Sequence, residues 1–138
     1  GIKSYHDQHH FLRASLEGVC YVLKNILQLI EESTGAIVQL NVSGGFIQSQ
    51  SWVQILSDVT GKKISLVQTD DASAIGAAML YMKSVNIIEN YSSLQHGKSM
   101  IIKPVAENHL VHEKYFPVFK NLYFILKDSM HMINDMND

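Results

Sequence analysis

Hydrophobic residues recur at helical spacing in four stretches of the chain. The first stretch predicts a long helix from about residue 5 to residue 32, and Gly35 marks its end. A second helix is predicted over 50–59, a third over 72–82, and a fourth from about His112 onward. The spacing therefore indicates a domain in which helices supply much of the packing surface.

Individual residues indicate how these helices begin and how they pack. Ser4 and Asp7 resemble an acidic capping box at the start of the first helix. The third helix is dense in alanine and glycine, so we expect it to lie close against a neighbouring element. Pro117 would fall in the first turns of the fourth helix, where proline is tolerated. Residues 84–109 are the least regular part, and no element is predicted there.

Two short apolar runs, 37–41 and 64–67, alternate with the helices and predict buried strands. This order of elements is typical of an α/β fold with parallel strands. Ligands in such folds bind beyond the carboxyl ends of the strands. The sequence Gly44-Gly45 follows the first strand at that end, in the stretch NVSGGFIQSQSW. On this local pattern alone, the two glycines make either a tight turn without a ligand or a main chain that a ligand approaches closely.

Composition narrows the class of protein. The length of 138 residues suits one domain, or one lobe of a larger protein. A net charge of −2 without a basic stripe argues against a nucleic-acid partner, and no apolar run is long enough for a membrane segment. A single cysteine, Cys20, cannot form an internal disulfide and suits a reducing cytoplasm.

A histidine cluster near the N-terminus suggests a zinc site at first sight. His6 and His10 are four residues apart with Asp7 after the first histidine, as in a zinc-binding helix. Zinc hydrolysis needs a third protein ligand and a general base, and the sequence does not identify either. We interpret these histidines as the exposed first turn of the helix and predict no metal site.

Several motifs together resemble the C-terminal domain of the FGGY carbohydrate kinases. That family has a strand, a Gly-Gly loop, a serine or asparagine, a large residue, and then a Gln-Ile…Asp-Val helix and an acidic residue before Ala-Leu-Gly-Ala-Ala. The positions that match in order are Gly44, Gly45, Ser49, Trp52, Gln54, Ile55, Asp58, Val59, Gly61, Asp71, Gly76, Ala77 and Ala78. The first helix matches the family at His10, Arg13, Ala14, Leu16, Glu17, Gly18 and Val19, and the last helix at Tyr115, Phe119, Leu122 and Tyr123.

The resemblance implies an actin-like, ribonuclease-H-like fold of two lobes with the active site between them. Residues 1–138 would be most of the C-terminal lobe, which holds ATP, and the N-terminal sugar-binding lobe would lie outside this chain. Gly44 and Gly45 would pass beneath the nucleotide, where a side chain would occupy the space of the ligand. Ser49 matches the position that hydrogen-bonds adenine, and it also suits the N-cap of helix 50–59.

Phe46 departs from the common family pattern, in which a small residue follows the glycines. An aromatic residue here is similar to the gluconate kinase branch, and its ring could stack on the base or pack inward. We interpret Trp52 as a core residue. Asp58 and Asp71 lie at helix ends, where we expect capping or packing roles.

The resemblance implies that the parent protein transfers phosphate from ATP, with Mg²⁺, to a sugar or sugar acid. The family's general base lies on the other lobe, so we predict no catalytic residue in this chain and no activity from the chain alone. Xylulokinase-like or glycerol-kinase-like specificity stays open, as does a homodimer. Two further alternatives are a nucleotide-binding module without catalysis and a protein-interaction domain.

Overall fold

The computed structural model describes residues 1–67, 72–91 and 100–136 of the chain. In chain order the elements are α1 (Gln8–Thr34), β1 (Gln39–Val42), a 3-10 turn (Gly45–Gln48), α2 (Gln50–Thr60), β2 (Lys63–Leu66), α3 (Ala72–Ser84), β3 (Met100–Ile102) and α4 (Ala106–Asp135). Among these described helices, none combines the length and hydrophobicity needed to cross a membrane.

The described strands form one small sheet in the order β1-β2-β3. β1 and β2 are parallel, with Leu40 opposite Ile64, which confirms the predicted parallel pair. Helix α2 makes the crossover between them, as a parallel connection requires. β3 runs antiparallel to β2, with Ile102 opposite Ile64. Its three residues lie in the stretch where no element is predicted from the sequence.

The core lies between α1, α2, α4 and the sheet. Its central side chains are Val53 and Val59 of α2 and Ile64 of β2, all fully buried. Cys20 of α1 and Phe116 of α4 complete this cluster from the two long helices. Burial raises the pKa of the Cys20 thiol to about 11, so this thiol is protonated and unreactive at neutral pH.

A buried lysine joins three helices. Lys24 on α1 is only 5% exposed, and its Nζ donates to the carbonyl oxygen of Val59 at 2.9 Å. The same ammonium group forms an ion pair with Glu113 of α4 and lies 4.7 Å from the centre of the Phe116 ring. The hydrogen bond from Lys24 lowers the pKa of Glu113. A cation at the C-terminal end of α2 also interacts favourably with the helix dipole.

The start of α1 differs from the predicted capping box. Asp7, not Ser4, is the N-cap, and its side chain accepts hydrogen bonds from the N–H groups of His9 and His10. In return, Nδ1 of the His10 side chain accepts the main-chain N–H of Asp7 at 3.2 Å. The box is therefore shifted by one turn, with histidine in place of the usual glutamate. Gly35 ends the helix as predicted, with φ of +87°.

Helix α4 begins earlier than predicted, at Ala106 rather than near His112. Its N-cap, Val105, has no capping side chain of its own, and the buried Asp58 carboxylate of α2 accepts the Val105 N–H at 2.8 Å instead. Because of this earlier start, Pro117 lies in the helix interior and not in the first turns. The prediction for Pro117 was therefore wrong.

The small-residue helix α3 is largely exposed within the described part of the chain. Ile75, Leu80 and Tyr81 on this helix are 38%, 63% and 66% exposed. The second half of α4 is also largely uncovered: Tyr123, Phe124 and Ile125 are each at least 60% exposed. The expected close packing of α3 is not seen among the described elements.

Candidate nucleotide-binding loop

The loop after β1 leaves its main chain open at two glycines. Gly44 has φ of +82° and ψ of −166°, a conformation that residues with side chains rarely adopt. Gly44 and Gly45 are both exposed. A Cβ atom added to either glycine would have no heavy atom of the described residues within 4 Å, apart from its chain neighbours. The space above the loop is therefore free for a ligand, and this geometry fits the predicted passage beneath a nucleotide.

A short 3-10 turn begins at Gly45 and makes the loop compact. The carbonyl oxygen of Gly44 accepts the N–H of Ile47 at 3.2 Å, and that of Phe46 accepts the N–H of Ser49 at 3.3 Å. Ser49 is exposed, and its Oγ accepts the N–H of Trp52 at 3.3 Å. This bond confirms the predicted N-cap role. A hydroxyl group has one donor and two acceptor sites, so capping leaves Ser49 able to bond a ligand as well.

Phe46 is half-buried beside the loop. Its ring centre lies 4.5 Å from that of Trp52, with the two planes inclined at 47°. It also borders an apolar cavity of about 260 Å³, together with Leu23 and Ile30 of α1 and Leu40 of β1. The ring therefore packs inward in this structure. Stacking of Phe46 on an adenine base stays a prediction.

Asp58 holds structural contacts at the far end of α2. It is 2% exposed, and its Oδ1 accepts the Gln54 Nε2 and the Val105 N–H, each at 2.8 Å. Its Oδ2 accepts the Asn108 side chain at 2.8 Å. All these contacts lie within the protein, in agreement with the expected structural role. Asp71, the other carboxylate that we interpreted in this way, lies outside the described residues.

The end of α2 depends on a glycine next to a histidine that sequence reasoning did not identify. Gly61 has φ of +70°, and a Cβ there would come within 2.5 Å of the His109 ring. Nδ1 of that ring is 2.8 Å from the carbonyl oxygen of Asp58. No short-range pattern links these residues, because His109 comes much later in the chain, at the end of the least regular stretch. Only the tertiary contact identifies the pair.

The N-terminal histidines lie at the start of α1. His10 is 2.6 Å from the Asp7 carboxylate, and Nδ1 of His6 accepts the Lys3 N–H at 3.1 Å. The hydrogen bond with His10 holds the pKa of the Asp7 carboxyl below its usual value. Within residues 1–67, 72–91 and 100–136, no group of three or more His, Cys, Asp or Glu side chains could hold a metal ion.

The fold and the loop together define an α/β domain with a glycine loop at the carboxyl end of a parallel strand, the usual ligand-binding position of this class. Comparison with known proteins gives the family. The family model described as the FGGY family of carbohydrate kinases, C-terminal domain, matches residues 1–85. The chain belongs to this family.

Two curated relatives illustrate the similarity. The gluconokinase of Bacillus subtilis (strain 168) is 27% identical over 138 residues, which cover 98% of this chain and 27% of the relative. The xylulose kinase of the same organism is 27% identical over 134 residues, which cover 93% of this chain and 26% of the relative. The chain thus spans about a quarter of the length of these relatives.

A solved structure confirms the fold. The ligand-bound xylulose kinase from Lactobacillus acidophilus superposes with a TM-score of 0.83 at 20% identity, covering 96% of this chain and 28% of that protein. The chain therefore has the fold of the corresponding part of the FGGY sugar kinases, an α/β fold of the actin-like type. The predicted fold class is confirmed.

Proposed function

We propose that the parent protein phosphorylates a sugar or sugar acid with ATP, and that this chain supplies most of its nucleotide-binding lobe. The observation that carries the proposal is the open main chain at Gly44 and Gly45, at the carboxyl end of β1 in a chain of the FGGY family. The relatives described above are both named as kinases, a gluconokinase and a xylulose kinase.

In this proposal Gly44 and Gly45 approach the nucleotide with their backbone, and Ser49 offers its hydroxyl group to the base. Phe46 supports the loop from behind, and the predicted stacking on adenine would require its ring to turn away from the inward position described above. Mg²⁺ would accompany ATP and neutralise charge on its phosphate groups. We assign no metal ligand to this chain, and we place the sugar site and the general base on the N-terminal lobe.

The first prediction tests the loop. Gly45→Val should weaken binding of ATP or ADP by the parent protein by about 1 kcal/mol or more, because the added side chain would enter the space of the ligand. The fold should be unaffected, since the described residues leave open space at this position. Isothermal calorimetry with wild type and variant measures the difference.

A matched control distinguishes the effect of a larger side chain in the loop from the effect of a larger side chain elsewhere on the surface. Ser15→Val adds an apolar side chain at an exposed position of α1 and should leave nucleotide affinity unchanged. Equal affinities of wild type and Gly45→Val for nucleotide would remove the loop from the site.

The substrate is the finer part of the proposal. We propose gluconate because Phe46 directly after the two glycines, followed by Ser49 and Trp52, is similar to the gluconate kinase branch. Xylulose is the second candidate, because the Bacillus subtilis xylulose kinase and gluconokinase are both 27% identical to this chain. Phe46 would mark lineage here and would not itself contact the sugar.

The second prediction compares substrates. The kcat/KM of the parent enzyme should be higher for gluconate than for xylulose or glycerol, each measured by coupled ADP release. A preference of about tenfold, or about 1.4 kcal/mol in transition-state binding, for xylulose or glycerol would refute gluconate but keep the kinase assignment.

A further inference from the structure

Trp52 contacts the candidate loop at two points. Its ring packs against Phe46 with the centres 4.5 Å apart, and its main-chain N–H donates to Ser49 Oγ at 3.3 Å. The segment after Gly45 runs from Phe46 to Ser49, and the carbonyl oxygen of Phe46 accepts the N–H of Ser49. Any residue other than proline at position 52 would keep the main-chain bond to Ser49, so the ring contact with Phe46 is the part that depends on tryptophan.

The glycines themselves have little other support. Gly44 and Gly45 are exposed and carry no side chains, so the position of their main chain depends on the next residues in the chain. Phe46 is the first residue after them that packs against the core. Because the Trp52 ring lies directly against Phe46, a smaller side chain at residue 52 would leave Phe46 free to tilt and would shift Gly45 with it.

Packing of the core alone does not explain why residue 52 is a tryptophan. Its Nε1 is buried, and it interacts within the described part of the chain only with the thiol of Cys20, a weak acceptor whose geometry falls short of a regular hydrogen bond. A buried donor with so weak an acceptor contributes little stability, and phenylalanine would fill much of the same space without that donor. The large aromatic surface toward Phe46 is the feature that an aliphatic core residue would not reproduce.

We propose that Trp52 is a positioning residue, whose ring holds Phe46 so that the main chain of Gly44 and Gly45 stays in the position where nucleotide binds. The inference rests on the proposed function, namely nucleotide binding by this loop. It adds a residue that acts on nucleotide affinity without touching the nucleotide.

The experiment uses the full-length parent protein with Trp52→Leu, Trp52→Phe and the control Val53→Ala. Val53 is fully buried next to Trp52 in α2, and its main-chain N–H donates to the carbonyl oxygen of Ser49, a contact that truncation of the side chain keeps, so Val53→Ala lowers stability alone. For each protein we would measure the thermal midpoint, the Kd of ADP by calorimetry, and the KM of ATP and of the sugar separately. If Trp52→Leu does not fold, Trp52→Met takes its place with the same expectations.

The expected result is a rise of about fivefold or more in the Kd of ADP and the KM of ATP for Trp52→Leu, since displacement of a binding group by about 1 Å is costly. The KM of the sugar should stay unchanged. Trp52→Phe should restore the nucleotide constants to within about twofold, because an aromatic ring again supports Phe46. Val53→Ala should lower the thermal midpoint and leave both nucleotide constants unchanged.

Three outcomes would overturn the inference. Wild-type nucleotide constants in Trp52→Leu would make Trp52 a core residue only. An equal loss of nucleotide affinity in Val53→Ala, or an equal rise in the KM of the sugar, would show general destabilisation. In each of these cases normal nucleotide binding by wild type leaves the proposed function intact, whereas a wild type that binds no nucleotide overturns both.

Discussion

Asp58→Ala is expected to destabilise the fold by about 2–4 kcal/mol, because hydrogen bonds to a charged group contribute more than neutral ones and three of them are lost together. The buried carboxylate accepts from Gln54 within α2, from the main chain of Val105, and from Asn108 in the first turn of α4. Val105 has no side-chain cap of its own, so the start of α4 depends on this contact. Urea unfolding of wild type and variant measures the loss.

A local measurement makes this prediction sharper. Amide hydrogen exchange in residues 105–109 should accelerate in Asp58→Ala, because the first turn of α4 loses its anchor. Asp58→Asn, which keeps the shape and one acceptor oxygen, should lose about half as much stability. Asp128→Ala is the matched control: Asp128 is exposed on α4, and surface changes of this kind stay within about 0.5 kcal/mol. Unchanged exchange at 105–109 would mean that Asp58 does not hold the helix.

The helices could be predicted wherever local periodicity and a local stop signal agree. α1 and α2 end at Gly35 and Gly61, both with positive φ, and both stops are visible in the sequence. The start of α4 was missed because it is anchored by Asp58, a residue 47 positions earlier than Val105. A sequence pattern of short range contains no trace of such a contact.

In the candidate loop, too, the local features could be predicted from the sequence, whereas the tertiary contacts could not. Two adjacent glycines and a Ser49 N-cap are local features, and the structure has the open main chain and the cap. The direction of the Phe46 ring is not local, because it depends on Trp52 and on the cavity beside α1. Sequence reasoning accordingly left two orientations open, and the tertiary packing selected the inward one.

The family resemblance was visible because its motifs are local and ordered. The glycine pair, the helix after it and the small-residue helix each follow the preceding element at a short distance in the chain. The antiparallel strand β3 has no such signal, since three residues do not establish an alternating pattern. Its pairing with β2 brings the start of α4 next to Asp58, and so positions the contact between Asp58 and Val105 that Asp58→Ala tests.

The largest expected effect concerns the chain without the remainder of the parent protein. We expect the 138-residue chain to transfer no measurable phosphate to gluconate, xylulose or glycerol. Phosphoryl transfer depends on positioning and charge stabilisation around two substrates in line. A general base contributes about 10²–10⁴-fold, and correct positioning of the reactants contributes more. We place the base and the sugar contacts outside this chain, so both contributions would be lost together.

Coupled ADP release measures this loss, with the parent protein as the positive control at equal molar concentration. Each assay would include a blank without sugar, because slow sugar-independent hydrolysis of ATP is not the proposed reaction. Calorimetry with ADP on the same preparation would show whether the loop still binds nucleotide when turnover is absent. Adding the separately expressed remainder of the parent protein should restore turnover if the two parts reassemble. Clear sugar-dependent turnover by the chain alone would contradict the assignment of the base to the other lobe, since the chain would then need a carboxylate of its own near the open glycines.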